Sequence, residues 1–165
     1  MSLLTKKQQI LGLIGWFVAS FVTAAIGSAA TMRAGSFYVN LIRPEWAPPP
    51  TIFGPVWTVL YILMAIAAWL VWRAGGFKAA RTALTLFLVQ LVFNALWSWL
   101  FFGWQMGAAS LVEVLLLWVW IGATLIAFWR IRPLAGMLML PYLAWVSFAA
   151  MLTFTLWRLN PDVLG

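Results

Sequence analysis

The chain has 165 residues, of which 65% are hydrophobic and 8% charged, and its formal net charge is +7. A soluble domain usually has about a quarter of its residues charged, so this composition excludes an ordinary soluble protein. Because the sequence has no cysteine and no histidine, it also excludes disulfides, zinc sites, haem ligation through those residues, and Ser-His-Asp or Cys-His catalysis. The acids Glu45, Glu113 and Asp162 are far apart, so we predict no catalytic residue and no metal site.

Five apolar segments follow one another, each about as long as the 20 residues that a membrane-spanning helix needs. They cover residues 9–30, 52–72, 80–102, 108–129 and 134–157. Lys6 and Lys7 precede the first segment and would suit a signal peptide. The apolar run is longer than the ~7–15 residues of a signal peptide's core, so we expect a mature helix. The predicted fold is an all-α integral membrane protein, a single domain over residues 1–165 in which five helices form a bundle.

The connections between these helices differ in length. Those after the second, third and fourth helices are short, which predicts that sequential helices are antiparallel neighbours. Only the first connection, residues 31–51, is long enough to cap one end of the bundle.

The basic residues lie mainly in the connections, which indicates contact with anionic lipid headgroups and not with nucleic acid. The N-terminal side of the predicted bundle carries Lys6, Lys7, Arg73, Lys78, Arg81, Arg130 and Arg132, and the other side carries Arg33, Arg43 and Arg158. This asymmetry predicts a cytoplasmic N-terminus, with the first connection on the opposite side of the membrane.

A proline-rich stretch leads into the second helix. Three consecutive prolines, residues 48–50, cannot lie inside a helix, because each lacks an amide donor and clashes with the preceding turn. Phe53, Trp57 and Tyr61 then recur every four residues, so they lie on one face of the second helix. This arrangement predicts an entrance for a flat, hydrophobic ligand.

Two other segments also place a group of side chains on one helical face. These are Gln90, Asn94, Trp97 and Ser98 in the third helix, and Pro141, Trp145 and Ala149 in the fifth. Tryptophan suits stacking on a planar molecule, and Asn94 and Tyr61 offer polar contacts, so the faces predict an apolar pocket with a few polar groups. Taken alone, Trp57 and Trp145 are explained better by core packing. Hydrogen bonds between helices are the favoured role for Gln90, whereas Asn94 suits that role and the pocket equally.

Several motifs occur in the order that one known family shows. They are residues 40–49 (NLIRPEWAPP) followed by Phe53, Trp57, Leu60 and Tyr61; then Gln90, residues 93–94, 96–98 and 101–103; then residues 141–142, Trp145, residues 148–149 and 157–160. Together they resemble the TspO/MBR family of tryptophan-rich sensory proteins and translocator proteins, also called peripheral-type benzodiazepine receptors. The resemblance extends from about Trp16 to Asn160, and it is closest to a bacterial-type member.

The resemblance implies a homodimer in the bacterial cell membrane, with a ligand pocket between the helices beneath the first connection. The implied ligands are porphyrins, such as protoporphyrin IX and haem, and other hydrophobic small molecules, with no tightly bound cofactor. The residues that carry over to this pocket are Tyr38, Trp46, Pro48, Phe53, Trp57, Tyr61, Asn94, Trp97, Ser98, Trp145 and Ala149.

The implied function is that of a receptor or carrier-like protein with a role in transport or signalling. An alternative is enzyme-like: light- and oxygen-dependent degradation of bound protoporphyrin, with Trp57 and Trp145 as the redox-active residues. A third interpretation is a structural or regulatory protein for which porphyrin binding is incidental.

A sterol-associated pattern near the end of the fifth helix is incomplete. It expects a central tyrosine between an apolar and a basic residue, whereas this chain has Leu152, Phe154 and Arg158. Because phenylalanine lacks the hydroxyl that would meet a sterol's polar end, we do not predict tight cholesterol binding.

Glu113 is the one acid deep inside a predicted span, and an intramembrane carboxyl suggests a function by default. It would either accept or relay a proton, or form a structural hydrogen bond as a neutral acid. The second interpretation is favoured, because the spans offer no other ionisable partner for a relay.

The first helix carries Gly15, Ala19, Thr23 and Gly27 at intervals of four. Such a stripe of small residues allows two helices to approach closely. The approach would be within the bundle or between two subunits.

Overall fold

The structure is a computed structural model that describes residues 4–165. Its helices are α1 (Lys6–Ala34), α2 (Phe37–Asn40), α3 (Phe53–Trp72), α4 (Gly76–Ala79), α5 (Arg81–Ser98), α6 (Gly107–Ile131), α7 (Pro133–Leu159) and α8 (Pro161–Leu164). A 3-10 turn (Pro50–Ile52) precedes α3, and a π-helical turn (Trp99–Gly103) continues α5. Within the described residues, five of these helices are long and apolar enough to cross a membrane: α1, α3, α5, α6 and α7. The predicted fold class is confirmed.

The long helices begin and end where their sequences supply the matching signals. Thr5 and Gln8 form a capping box, in which each side chain accepts a hydrogen bond from the backbone amide of the other, at 3.3 and 2.9 Å. This box explains why α1 starts before the predicted residue 9. The helix stops at Gly35, whose φ of 54° is a conformation that favours glycine. At the other end of the chain, Pro133 occupies the first turn of α7, where its missing amide hydrogen is not needed.

The five spanning helices form a closed ring in the order α1, α3, α7, α6 and α5, with α5 packed again on α1. Sequential helices are neighbours in most pairs, as predicted, but α3 and α5 pack less closely with each other than either does with α1. The chain between them turns at Gly75, whose φ of 146° suits glycine. It then passes the start of α1, since a Cβ atom at Gly76 would lie 3.9 Å from Leu4. Helix α1 therefore lies between α3 and α5, although the short connection between these two helices predicts that they are close neighbours.

The first connection covers one end of the ring, and we call residues 35–49 the lid. It contains α2, which buries Phe37 and Tyr38 against the bundle, followed by an extended stretch. Asn160, at the end of α7, fixes this stretch: the Ile42 amide donates to Asn160 Oδ1 (2.8 Å), and Asn160 Nδ2 donates to the Ile42 carbonyl (2.9 Å). The lid begins later than the predicted residue 31, because α1 continues to Ala34.

Candidate functional site

A cavity of about 450 Å³ lies between α1, α3 and α5, beneath the lid. Small-molecule sites usually enclose about 300–1,000 Å³, so the cavity is large enough for a ligand. Its walls are rich in aromatic side chains: Phe21 on α1, Tyr38 in the lid, Phe53, Trp57 and Tyr61 on α3, Trp97 on α5, and Phe102 in the π-helical turn. Aromatic faces favour offset or edge-on contact with other flat rings. The geometry therefore suits a planar, apolar molecule.

The side of the cavity formed by α1 was not predicted from the sequence. Phe21, Ala24, Gly27, Ser28 and Thr31 all line it. The stripe of small residues indicated part of this wall, because α1 lies close to α5 at Gly27: a Cβ atom there would lie 3.1 Å from Ser98 Oγ. The close approach is thus within one bundle at this position, and it brings α1 into the cavity wall.

A second, smaller void lies behind the aromatic wall on the α7 side. Its volume is about 10 Å³, which is close to the smallest space that holds a single water molecule. Trp145 and Ala149 line this void but not the larger cavity. Phe53 lies between, with its ring centre 6.0 Å from that of Trp145. In this conformation the α7 side of the predicted pocket is filled by the protein's own side chains.

The structure therefore brings the predicted site residues into three groups. The residues that line the large cavity are Tyr38, Phe53, Trp57, Tyr61, Trp97 and Ser98. Trp145 and Ala149 lie behind its wall, and Asn94 lies beneath its floor with 2% of its surface exposed. Trp46 and Pro48 lie in the lid and do not line the large cavity.

Pro48 and Trp46 each contact a residue that lines one of the two spaces, Tyr38 and Phe148 respectively. The Tyr38 hydroxyl donates a hydrogen bond to the Pro48 carbonyl (2.9 Å), and the Arg43 guanidinium lies 5.3 Å from the centre of the Tyr38 ring. Burial raises the pKa of Tyr38 above its ordinary value of 10.0, and the nearby Arg43 opposes that shift. Trp46 packs edge-on against Phe148 of α7, with ring centres 5.9 Å apart. The lid is thus closed over Tyr38, a residue of the cavity wall.

Beneath the cavity, four polar side chains form a chain of hydrogen bonds that we call the floor network: Tyr61, Asn94, Tyr142 and Gln90. The Tyr61 hydroxyl donates to Asn94 Oδ1 (2.5 Å), Asn94 Nδ2 donates to the Tyr142 hydroxyl oxygen (2.7 Å), and the Tyr142 hydroxyl donates to Gln90 Oε1 (2.7 Å). Each member exposes 5% of its surface or less. Gln90 and Asn94 thus form hydrogen bonds between helices, and Tyr142 is a member that the spacing argument did not single out.

Hydroxyl groups on the cavity wall differ in what they can offer a ligand. The protons of Thr31 and Thr58 are donated to the carbonyls of Gly27 (3.4 Å) and Gly54 (2.9 Å), within their own helices. Among residues 4–165, Ser28 and Ser98 line the cavity without such an internal acceptor. They are the wall hydroxyls that remain free to donate to a carboxylate or carbonyl oxygen of a ligand.

Glu113 and the sterol-associated residues lie outside the cavity. Glu113 is 5% exposed on the inner face of α6, and within the described residues neither of its carboxyl oxygens has a hydrogen-bond partner. The predicted structural hydrogen bond of Glu113 is therefore not found among the described residues, whereas the proton relay stays a prediction. Leu152 is buried and faces the smaller void, whereas Phe154 and Arg158 are exposed on the outside of α7. The three residues of the sterol-associated pattern do not share one face.

Comparison with known proteins gives a consistent result over nearly the whole chain. The model of the TspO/MBR family matches residues 14–158. The chain is 41% identical over 157 residues to the tryptophan-rich protein TspO of Chlorobaculum tepidum, covering 94% of this chain and 99% of that protein. It is 37% identical over 150 residues to protein CrtK of Rhodobacter capsulatus, covering 88% of this chain and 91% of that protein. It is also 37% identical over 150 residues to the human translocator protein, covering 89% of each.

Proposed function

Because the chain belongs to the TspO/MBR family of multi-pass membrane proteins, we propose that it binds porphyrins, such as protoporphyrin IX and haem, and related flat hydrophobic molecules. The site is the cavity between α1, α3 and α5. The observation that carries the proposal is the aromatic wall around a space of about 450 Å³.

The polar groups of the wall suit the same ligand class. A porphyrin has a flat apolar macrocycle with carboxylates at its edge. The macrocycle would lie against Trp57 and Phe53, and the carboxylates would accept hydrogen bonds from Ser28 and Ser98. In this arrangement the ligand is a guest in a preformed cavity and not a tightly bound cofactor.

The enzyme-like alternative places greater demands on the geometry. Degradation of protoporphyrin by Trp57 and Trp145 needs both indoles next to the ligand. Trp57 lines the cavity, but Trp145 lies behind Phe53 and lines only the smaller void. This conformation favours binding, with a carrier-like or signalling role, over degradation.

We also propose that the protein acts as a homodimer in the bacterial cell membrane. The bacterial relatives support the location, and the family resemblance supports the dimer. Its partners would then be lipids, a second copy of the chain, and the hydrophobic ligand.

Titration of the purified protein with protoporphyrin IX, followed by quenching of tryptophan fluorescence, tests the binding proposal. Replacing Trp57 by Phe should weaken binding about 5–10-fold, because the loss of the larger ring removes about 1 kcal/mol of contact. Trp104→Phe is the matched control, since Trp104 is 56% exposed and lies outside this cavity. Trp145→Phe should leave the affinity nearly unchanged.

Two results would contradict the proposal. One is wild-type protein that does not bind protoporphyrin IX, and the other is equal affinity in the Trp57→Phe and Trp104→Phe variants. Illumination of the complex distinguishes binding alone from degradation. A defined open-chain tetrapyrrole product that requires both Trp57 and Trp145 would support degradation.

A further inference from the structure

With Met64 added at its end, the floor network starts and ends on α3. Tyr61 and Met64 both lie on α3, three residues apart. From Tyr61 the chain of hydrogen bonds passes to Asn94 on α5, then to Tyr142 on α7, and back to Gln90 on α5. The amide nitrogen of Gln90 then faces the sulfur of Met64 at 3.9 Å. The network therefore ties α3, α5 and α7 together in one closed circuit.

Met64 determines which group donates and which accepts at each hydrogen bond of the circuit. A thioether sulfur is a weak acceptor and has no proton to donate, so Gln90 must present its amide nitrogen to Met64 and its carbonyl oxygen to Tyr142. The Tyr142 proton is then used on Gln90, and the Tyr142 oxygen must accept from Asn94. Asn94 in turn presents its oxygen to Tyr61. Each step fixes the next, because Asn94, Tyr142 and Gln90 expose 2% of their surface or less and do not line the cavity.

Both tyrosine rings of the network contact Trp57. The ring of Tyr61 lies 5.6 Å from that of Trp57, and the ring of Tyr142 lies 6.1 Å away in an edge-on contact. Trp57 lines the large cavity and the smaller void, so it is part of the wall between them. The rings of Tyr61 and Tyr142 thus pack against this wall at Trp57, while their hydroxyl groups are hydrogen-bonded in the floor network.

We propose that Gln90 and Tyr142, neither of which lines the cavity, are positioning residues of the ligand site. They hold Tyr61 and Trp57 in place through a one-way chain of hydrogen bonds whose direction is set by Met64. The consequence for ligand affinity rests on the proposed function, whereas the placement of Trp57 does not.

The placement can be measured without ligand by ¹⁹F NMR of protein labelled with 5-fluorotryptophan. The Trp57 resonance is assigned by its loss in Trp57→Phe. Tyr142→Phe keeps the ring against Trp57 but removes the hydroxyl from the circuit. Gln90→Leu removes the oxygen that accepts the hydrogen bond from Tyr142. Both variants should shift, broaden or split the Trp57 resonance. Gln90→Glu should restore the wild-type signal, because it keeps an acceptor toward Tyr142 in either protonation state.

A matched control breaks a hydrogen bond elsewhere between helices. Trp118 Nε1 donates to Ser147 Oγ between α6 and α7 (2.8 Å), on the outside of the bundle. Ser147→Ala should therefore leave the Trp57 resonance unchanged. An unchanged Trp57 resonance in Tyr142→Phe overturns the proposal, even if that variant is less stable. A Gln90→Glu variant whose Trp57 resonance resembles that of Gln90→Leu also overturns the proposal. Should Gln90→Leu fail to fold, the Trp57 resonance of Tyr142→Phe decides the question, because that substitution retains the ring.

A second measurement follows the consequence for binding. The affinity for protoporphyrin IX should fall about 5–10-fold in Gln90→Leu, the effect of losing one hydrogen bond that orders the wall, and return to within about twofold in Gln90→Glu. If wild-type protein does not bind protoporphyrin IX, the proposed function fails while the NMR result still tests the placement. If binding is present but the NMR signals do not change, the placement fails and the function stands.

Discussion

The lid is held by hydrogen bonds between side chains and backbone, whereas the floor network joins side chains to one another. Asn160 and Tyr38 bind backbone groups of Ile42 and Pro48, and Ile42 itself is 64% exposed. In the floor network, Gln90 and Tyr142 have no exposed surface. Water reaches a broken hydrogen bond at Ile42 more readily than one between the buried side chains of the floor network. We therefore expect a broken hydrogen bond to cost less stability at the lid end of the cavity than at the floor end.

The largest expected effect comes from interrupting the floor network. Asn94→Leu keeps the side-chain size but leaves the Tyr61 hydroxyl without an acceptor and the Tyr142 oxygen without a donor. We expect a loss of about 2–3 kcal/mol in the free energy of unfolding, since both orphaned groups stay buried. Denaturant titration in detergent measures it. If the loss is no larger than that caused by Asn160→Ala in the lid, the lid and the floor network do not differ in their contribution to stability.

An intermediate effect is expected at the lid. Asn160→Ala removes both hydrogen bonds to Ile42 and one to the Leu156 carbonyl. Stability should fall by only about 1 kcal/mol, because the Leu156 carbonyl keeps its hydrogen bond from the Asn160 backbone amide and Ile42 is 64% exposed. Opening of the lid should nevertheless become about fivefold more frequent, so a glutamate-specific protease should cut at Glu45 correspondingly faster. Glu45→Gln controls for cleavage at that residue, and an unchanged cleavage rate would contradict the role of Asn160.

The smallest effect depends on pH. Tyr38→Phe removes the hydrogen bond to Pro48 and should cost about 0.5–1 kcal/mol at neutral pH. Because burial raises the pKa of Tyr38, folding favours its protonated form, and its contribution is present below pH 10 and lost as the pH rises further. The stability difference between wild type and variant should thus be constant from about pH 7 to 9 and shrink above about pH 10. Thermal unfolding of both proteins at several pH values measures this difference, and a gap that widens at high pH would disprove the assignment.

The sequence predicted the spans and one wall of the cavity for clear physical reasons. A spanning helix needs a long apolar run, which composition alone reveals. Phe53, Trp57 and Tyr61 share a face because the spacing of four is a property of any helix, and all three line the cavity. The spacing also grouped Gln90 with Asn94, and the structure places both in the floor network.

What the sequence could not predict depends on contacts between helices. Trp145 lies on a face that spacing identifies, but whether it reaches the cavity is decided by the ring of Phe53 in front of it. The wall from α1 was missed because its residues are mostly small, and small residues indicate close packing without saying what lies beside them. Nor does a one-dimensional pattern reveal that α1, and not α5, is the closer neighbour of α3.

The bond between Asn160 and Ile42 joins residues that are 118 positions apart in the chain. Synthesis proceeds from the N-terminus at about 5–20 residues per second, so the lid exists for several seconds before the residue that fastens it has been made. The lid is thus fastened only after α7 has been made. A chain that stopped before residue 160 would carry the aromatic wall of α3 but would lack the side chain that fastens the lid.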